Sequence, residues 1–480
     1  MTTIDSNDTA TADYVERAWN EEILPELFEY IAIPNVSKAY EPDWERLGHM
    51  ERAVEHVRSW CASRDIAGLR VDVERVPGLT PLIVMEIPPF GEGSRHGSDD
   101  TVVLYGHLDK QPEMEGWRDD LGPWTPVMDG DRLYGRGGAD DGYSAYASLV
   151  AIEAAQRAGW SHARLVVLIE ASEESGSPDL PAHLERLAGR IGSPSLVICL
   201  DSGCLDDSRL WVTTSLRGLV SGTLRVDVLT EGVHSGEASG IVPSSFRVIR
   251  SLLDRIEDAA TGRVLVDDMH VEIPADRRRE AEETSREFPE PLASHYPFVD
   301  GMRPAVDDPV EQILAHTWRP TLSYVGVDGV PSVARGGNVL RPYTALSLSF
   351  RLPPTCDHDR ALSAVVHALE TDPPYGAKVT FAGVQGAPGW NAPTFEPWLA
   401  DALERASTAA FGRSWRAFGE GGTIPFMGML GEKFPAAQFV ITGVLGPGSN
   451  AHGPNEFLHV PTGKRVTTAM AHILRDHALR

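Results

Sequence analysis

Four short, unbroken apolar runs, at 102–105, 165–169, 196–200 and 439–441, constrain this chain most. Each is bounded by turn residues and shows no alternation, so each reads as a strand buried on both faces, the kind found in parallel sheets. Helical apolar spacing fills 144–158, after the first run, and 395–411, before the last. Strands alternating with helices define an α/β architecture with a mainly parallel sheet between helices.

The middle of the chain obeys another rule. Leu224, Val226 and Val228 alternate with polar residues, as do Leu346, Leu348, Phe350 and Leu352, which predicts half-buried antiparallel strands. Between them Phe246, Ile249, Leu253 and Ile256 recur at helical spacing. With 480 residues, 42% of them apolar, the chain is long enough for two cores. We therefore expect one domain built from 1–213 and 392–480, interrupted by an α+β domain at 214–391. Within the latter, 266–330 is rich in Pro and charge, and few elements can be placed there.

A formal charge of −26 repels phosphate, so nucleic acid and anionic membrane are excluded as expected partners. No apolar run approaches the ~20 residues that span a bilayer. Residues 1–13 are polar and acidic, unlike a secretory signal, and a cytoplasmic location is expected. Cys61, Cys199, Cys204 and Cys356 form no CxxC pair, which predicts free thiols rather than a zinc–cysteine site.

The chemistry lies where the apolar runs end. The first leads to His107 and Asp109, the second to Glu173 and Glu174, the third to Asp201, and the fourth, through a glycine-rich loop, to His452. A further loop brings Asp140 and Asp141 to the start of a helix. Sites in open α/β sheets gather outside the carboxyl ends of the strands. Singly, each residue has a plainer explanation: a loop histidine, a solvated acidic turn, a helix N-cap at Asp140. Jointly, two histidines and at least five carboxylates at strand ends suit a pair of borderline divalent ions such as zinc, manganese or cobalt.

Six segments together resemble the M20 metallopeptidases: GHLD at 106–109, YGRGGADD at 134–141, EESGS at 173–177, HSG at 234–236, EGGTIP at 420–425 and AHGPNE at 451–456. They occur in the right order over nearly the whole chain, nearest to the carnosine and cytosolic nonspecific dipeptidases. The resemblance implies that Asp140 bridges two metals, one also held by His107 and Asp201, the other by Glu174 and His452. It implies that Glu173 is the general base and that Asp109 orients His107. The inserted domain becomes a lid and dimerisation domain, whose His234 reaches the active site of the partner subunit in a homodimer. Asn338 and Arg351 resemble a pair that binds the substrate carboxylate, and Thr423 falls among the substrate-binding positions. The substrate implied is a dipeptide or similar short amide. A carboxypeptidase or an N-acyl amino acid deacylase would use the same site, and a non-catalytic binding protein would not need Glu173. Three departures from the family pattern, Lys110, Gly142-Tyr143 and Gly419, are expected to lie near the pocket and to bear on the substrate.

Overall fold

The computed structural model describes residues 6–91, 100–288, 292–422 and 425–480. It divides into two compact units: Met1–Thr213 with Ala392–Ala417 and Met429–Arg480, and Thr214–Asn391 with Phe418–Gly428.

The first unit is built on a six-stranded sheet ordered Arg70–Glu74, Leu82–Ile87, Arg164–Glu170, Thr101–His107, Pro194–Cys199, Gln438–Ile441. The last four strands are mutually parallel and the first two run antiparallel at one edge. Val102 and Leu104 enter the main core with Val167, Ile198 and Val440. Their neighbours Val103, Val166, Leu168 and Val197, which point the other way, are buried as well. Both faces are thus covered, which is why these strands read as continuous apolar runs. The helix Ser144–Arg157 is buried along most of its length, and Val460–Leu479 packs against it and against Pro397–Phe411. Trp19 Nε1 donates to Thr467 Oγ1 (2.9 Å), tying an amino-terminal helix to the carboxyl-terminal one.

The second unit carries a four-stranded antiparallel sheet ordered Thr321–Asp328, Tyr343–Leu352, Gly218–Asp227, Lys378–Ala387. Leu224 pairs with Leu346, and Val220 with Phe350, so one face is apolar throughout. Helices Ser245–Leu253 and His358–Glu370 cover that face. Of the four positions at helical spacing, Ile249 and Ile256 enter the core and Leu253 packs against it, so the face is right apart from Phe246. Phe246 is exposed and Leu253 only half-buried, while Val248, Ile249 and Leu252 enter the core. Among the described residues the stretch 266–330 carries the α-helices Ala275–Glu287 and Pro309–Thr317, short helical turns at Asp267–Met269 and Leu292–His295, and the edge strand Thr321–Asp328. Residues 418–428, expected with 392–480, group instead with the second unit. Arg217 explains this, because its backbone N–H donates to Gly422 O and its Nε to Gly421 O, both at 3.0 Å.

Candidate metal centre

The carboxyl ends of three parallel strands and two loops bring five side chains together in the first unit. His107, Asp140 and Asp201 form one trio, with donor atoms within 4.8 Å of one another, and Asp140, Glu174 and His452 form a second. Asp140 belongs to both. Its Oδ1 lies 3.3 Å from His107 Nε2 and its Oδ2 lies 3.0 Å from His452 Nε2. Asp201 Oδ2 is 3.8 Å from His107 Nε2, and Glu174 Oε2 is 3.2 Å from His452 Nε2.

The surroundings aim these atoms. His107 Nδ1 donates to the carbonyl of Asp109 (3.1 Å), which leaves Nε2 as the lone-pair nitrogen facing Asp140 and Asp201. The Asp109 carboxylate lies 3.5 Å from Nδ1, and its two oxygens accept the backbone N–H groups of Glu173 (3.0 Å) and Glu174 (3.1 Å). Asp109 therefore connects the end of the His107 strand to the Glu173–Ser175 turn. Gln111, which the sequence reading passed over, donates from Nε2 to Glu174 Oε2 (2.7 Å). The His107 N–H donates to Asp141 Oδ2 (3.1 Å), fixing the paired aspartates against the strand.

Negative charge is concentrated here. Burial, and then the charges of Asp140 and Glu174, push the Asp201 carboxyl up to about 7, with His107 opposing. Burial, Asp201 and Glu174 push Glu173 well above the usual carboxylate range. Burial works against protonating His452, yet hydrogen bonds to Asp140 and Glu174 hold it up at about 11. Burial would raise Asp140 too, but hydrogen bonds from His107 and His452 hold it below the usual carboxylate range. With Glu173, Glu174, Asp201 and both imidazoles raised, the pocket is short of positive charge. Two imidazoles and three carboxylates fit divalent cations of borderline character, and no cysteine joins either trio among the described residues. Because such ions displace protons from their ligands, occupancy must rise with pH.

His234, Asn338 and Arg351 lie in the second unit. His234 is exposed on the short strand Val233–His234, which pairs with Val339–Leu340, and Ser235 N–H donates to the Asn338 carbonyl (2.9 Å). His234 and Asn338 thus share one ribbon. Arg351 is half-buried on the polar face of Tyr343–Leu352. Beside it stands Arg217, also missed in the sequence, whose Nη1 donates to Thr321 Oγ1 (3.1 Å), and Thr321 is the cross-strand partner of Arg351. Burial, and then the positive charge of Arg351, push Arg217 down to about 10. Thr423 lies outside the described residues.

Each of the three departures has a packing role in the structure. Lys110 is fully buried, and its Nζ donates to the carbonyls of Tyr30 (2.8 Å) and Ile33 (2.8 Å) while sitting 4.0 Å from the Tyr30 ring centre. It caps the helix Leu24–Ile31. The same Tyr30 ring leaves no room at Gly142, where a Cβ would come within 2.1 Å of it. Tyr143 is buried, donating to the Leu200 carbonyl (2.6 Å). A side chain at Gly419 would meet Ser215 and Thr317.

A mainly parallel α/β sheet whose strand ends gather two acid–imidazole trios sharing one aspartate is suited to holding divalent metal. The chain belongs to peptidase family M20/M25/M40, whose model matches residues 103–476. It is 26% identical over 435 residues to a cysteinylglycine-S-conjugate dipeptidase of Corynebacterium striatum, covering 88% of this chain and 89% of that one. It is also 26% identical over 370 residues to the human Beta-Ala-His dipeptidase, covering 72% and 69%. Its fold matches the di-peptidase Dug1p of Saccharomyces cerevisiae with a TM-score of 0.75 at 20% identity, over 98% and 99% of the two chains. The protein is a metallopeptidase that uses divalent metal.

Proposed function

We propose that the protein is a dipeptidase that cleaves the amide bond of dipeptides or similar short substrates with a free carboxylate, using two zinc or manganese ions, with cobalt as a substitute. The observation that carries this reading is Asp140, whose two oxygens face two different imidazoles. The dipeptidase names of the two relatives support the substrate class.

In this reading His107, Asp140 and Asp201 hold one ion, and Asp140, Glu174 and His452 the other. Two such ions, when bound, acidify a water and polarise the scissile carbonyl. Glu173, held in neither trio, takes the proton of the attacking water and returns it to the leaving amine. Burial, then the charge of Asp201, raises its pKa, which suits a group that must take up a proton and later give it back. Asp109 fixes Glu173 through its backbone N–H while it sets the orientation of His107. His234, supplied by the partner subunit of a homodimer, donates to the developing oxyanion, a contact worth ~3 kcal/mol when well placed. Arg351, with Asn338 and Thr423, receives the substrate carboxylate, for which a guanidinium fork is suited. The inserted unit then acts as lid and dimerisation domain. No helix among the described residues is long and apolar enough to cross a membrane. The four cysteines are all free thiols, which supports a reducing, cytoplasmic setting.

The test is hydrolysis of a dipeptide panel by chelator-stripped protein, with and without added Mn²⁺ or Zn²⁺, beside carboxypeptidase substrates and N-acetylated amino acids. Metal-dependent cleavage confined to dipeptides is the expected result. Preference for longer peptides or acetylated amino acids would reassign the acyl side to a carboxypeptidase or deacylase. No cleavage of any member would indicate a binding protein.

A further inference from the structure

We propose that the buried pair Arg136–Glu456 is the positioning device for the Asp140–Glu174–His452 trio, clamping together the two loops that carry Asp140 and His452. The role rests on that trio holding a divalent cation.

The loop that presents His452 is braced from within, where the Gly453 N–H donates to the Asn450 carbonyl (2.9 Å) and the Asn450 side chain to the Pro454 carbonyl, and from outside. Asn450, His452 and Asn455 all adopt positive φ, at 55°, 65° and 60°, a left-handed conformation that is uncommon outside glycine and that Asn and His tolerate best. The His452 side chain is half exposed, so packing does not restrain it. The brace that links it to the Asp140 loop comes from Arg136, which is 1% exposed. Its Nη2 donates to the carbonyls of His452 (3.0 Å) and Gly453 (2.8 Å), and its Nη1 donates to Glu456. Glu456, fully buried, accepts the Gly137 N–H on its other oxygen (2.9 Å), and its carbonyl accepts the Gly135 N–H (3.0 Å). Gly137 opens the turn that presents Asp140. One ion pair therefore stitches the Asp140 loop to the His452 loop across 320 residues of sequence.

A fork that grips two consecutive carbonyls and a carboxylate has no substitute among single point charges. A buried pair is also weak support for stability, since apolar residues of similar volume often replace one at no cost. That difference separates positioning from mere structure. Neither residue is placed to touch metal or substrate; Arg136 holds the backbone of His452 itself, whereas Glu456 holds Gly137, three residues before Asp140, so His452 is the ligand that the pair chiefly positions.

The experiment uses full-length, chelator-stripped protein. Wild type, Arg136→Met with Glu456→Leu, Arg136→Lys, and the reference His452→Ala are titrated calorimetrically with Mn²⁺, and unfolding of each metal-free form is followed by circular dichroism. Wild type is expected to bind two ions. In the double variant the site that His452→Ala abolishes should weaken by roughly 10- to 100-fold, the usual effect of losing a partner that orients a ligand, while the other site and the metal-free unfolding midpoint change little. Arg136→Lys, which keeps the charge opposite Glu456 but not the fork, should weaken the same site to a smaller extent, and it serves if the double variant does not fold. Unchanged affinity at both sites, or equal weakening of both, overturns the clamp while leaving the metal centre standing. A wild type that binds fewer than two ions overturns the metal centre and the clamp with it.

Discussion

Glu173 and Glu174 are neighbours on one turn, and both offer their backbone N–H to Asp109, yet their side chains face different tasks. Glu174 reaches His452 and Gln111, whereas Glu173 enters neither trio. Glu173→Gln should therefore cut turnover by about 10²- to 10⁴-fold with metal content and fold unchanged, because it removes a base and no ligand. Glu174→Gln should lower metal occupancy instead. Elemental analysis beside steady-state kinetics decides this, and equal metal loss in both variants would mean that the roles are exchanged. Arg351→Ala should raise KM at least about tenfold for dipeptides with a free carboxylate and leave their amides nearly unaffected. An equal rise on both would remove Arg351 from carboxylate binding. The five trio residues were legible because each follows an apolar run or a glycine-rich loop. Their supports were not. Gln111 meets its partner 63 residues away and Arg136 meets Glu456 across 320, distances over which local spacing carries no signal. Lys110 was expected near the pocket, but its complete burial had no sequence signal, because lysine is almost never fully buried; its Nζ is satisfied here by backbone carbonyls.

Among the elements, the buried parallel strands stood out because both their faces are apolar, and those same strands end at the metal centre. The edge strand Arg70–Glu74, sequence RVDVE, did not, since its charges face Arg190 in ion pairs at the sheet margin. Thr321–Asp328 was hidden for a related reason: most of it is exposed, so burial left no pattern. The carboxyl-terminal helix Val460–Leu479 carries a pH dependence of its own. His472 on it is buried against Trp160, with ring centres 4.8 Å apart, and neither ring nitrogen has a hydrogen-bond partner among the described residues. Asp8, at 3.9 Å, is too far to supply one. Burial, and then the charge of Arg475, push the imidazole down to about 4. In the unfolded chain it titrates near 6.5, so between these values the unfolded state binds the extra proton. Stability contributed by this group is complete above about pH 6.5 and is lost as pH falls toward 4, by at most about 1.4 kcal/mol per pH unit. His472→Leu should flatten the fall in unfolding midpoint between pH 7 and pH 5 measured on metal-free protein. An unchanged slope would show that the imidazole does not titrate in folding.

At the scale of the whole molecule, each proposed active site combines Glu173 of one chain with His234 of its partner. Neither Glu173→Gln nor His234→Ala dimers should then work alone. Mixed under conditions that exchange protomers, they should recover roughly a quarter of wild-type activity, because random pairing makes half the dimers mixed and one of the two sites in each is intact. Mass-tagged chains found in one dimer establish the exchange. With exchange established and no activity regained, His234 does not act across the dimer, and the metal centre is unaffected.

The metal centre itself is tested most directly by anomalous diffraction from crystals of the protein loaded with Zn²⁺ or Mn²⁺. Asp140, with His107 on one oxygen and His452 on the other, requires two peaks per chain about 3.5–4 Å apart, one beside His107 and Asp201 and one beside Glu174 and His452, with the Asp140 carboxylate between them. A single peak at full loading, or two peaks with Asp140 contacting only one, would contradict the two-metal centre.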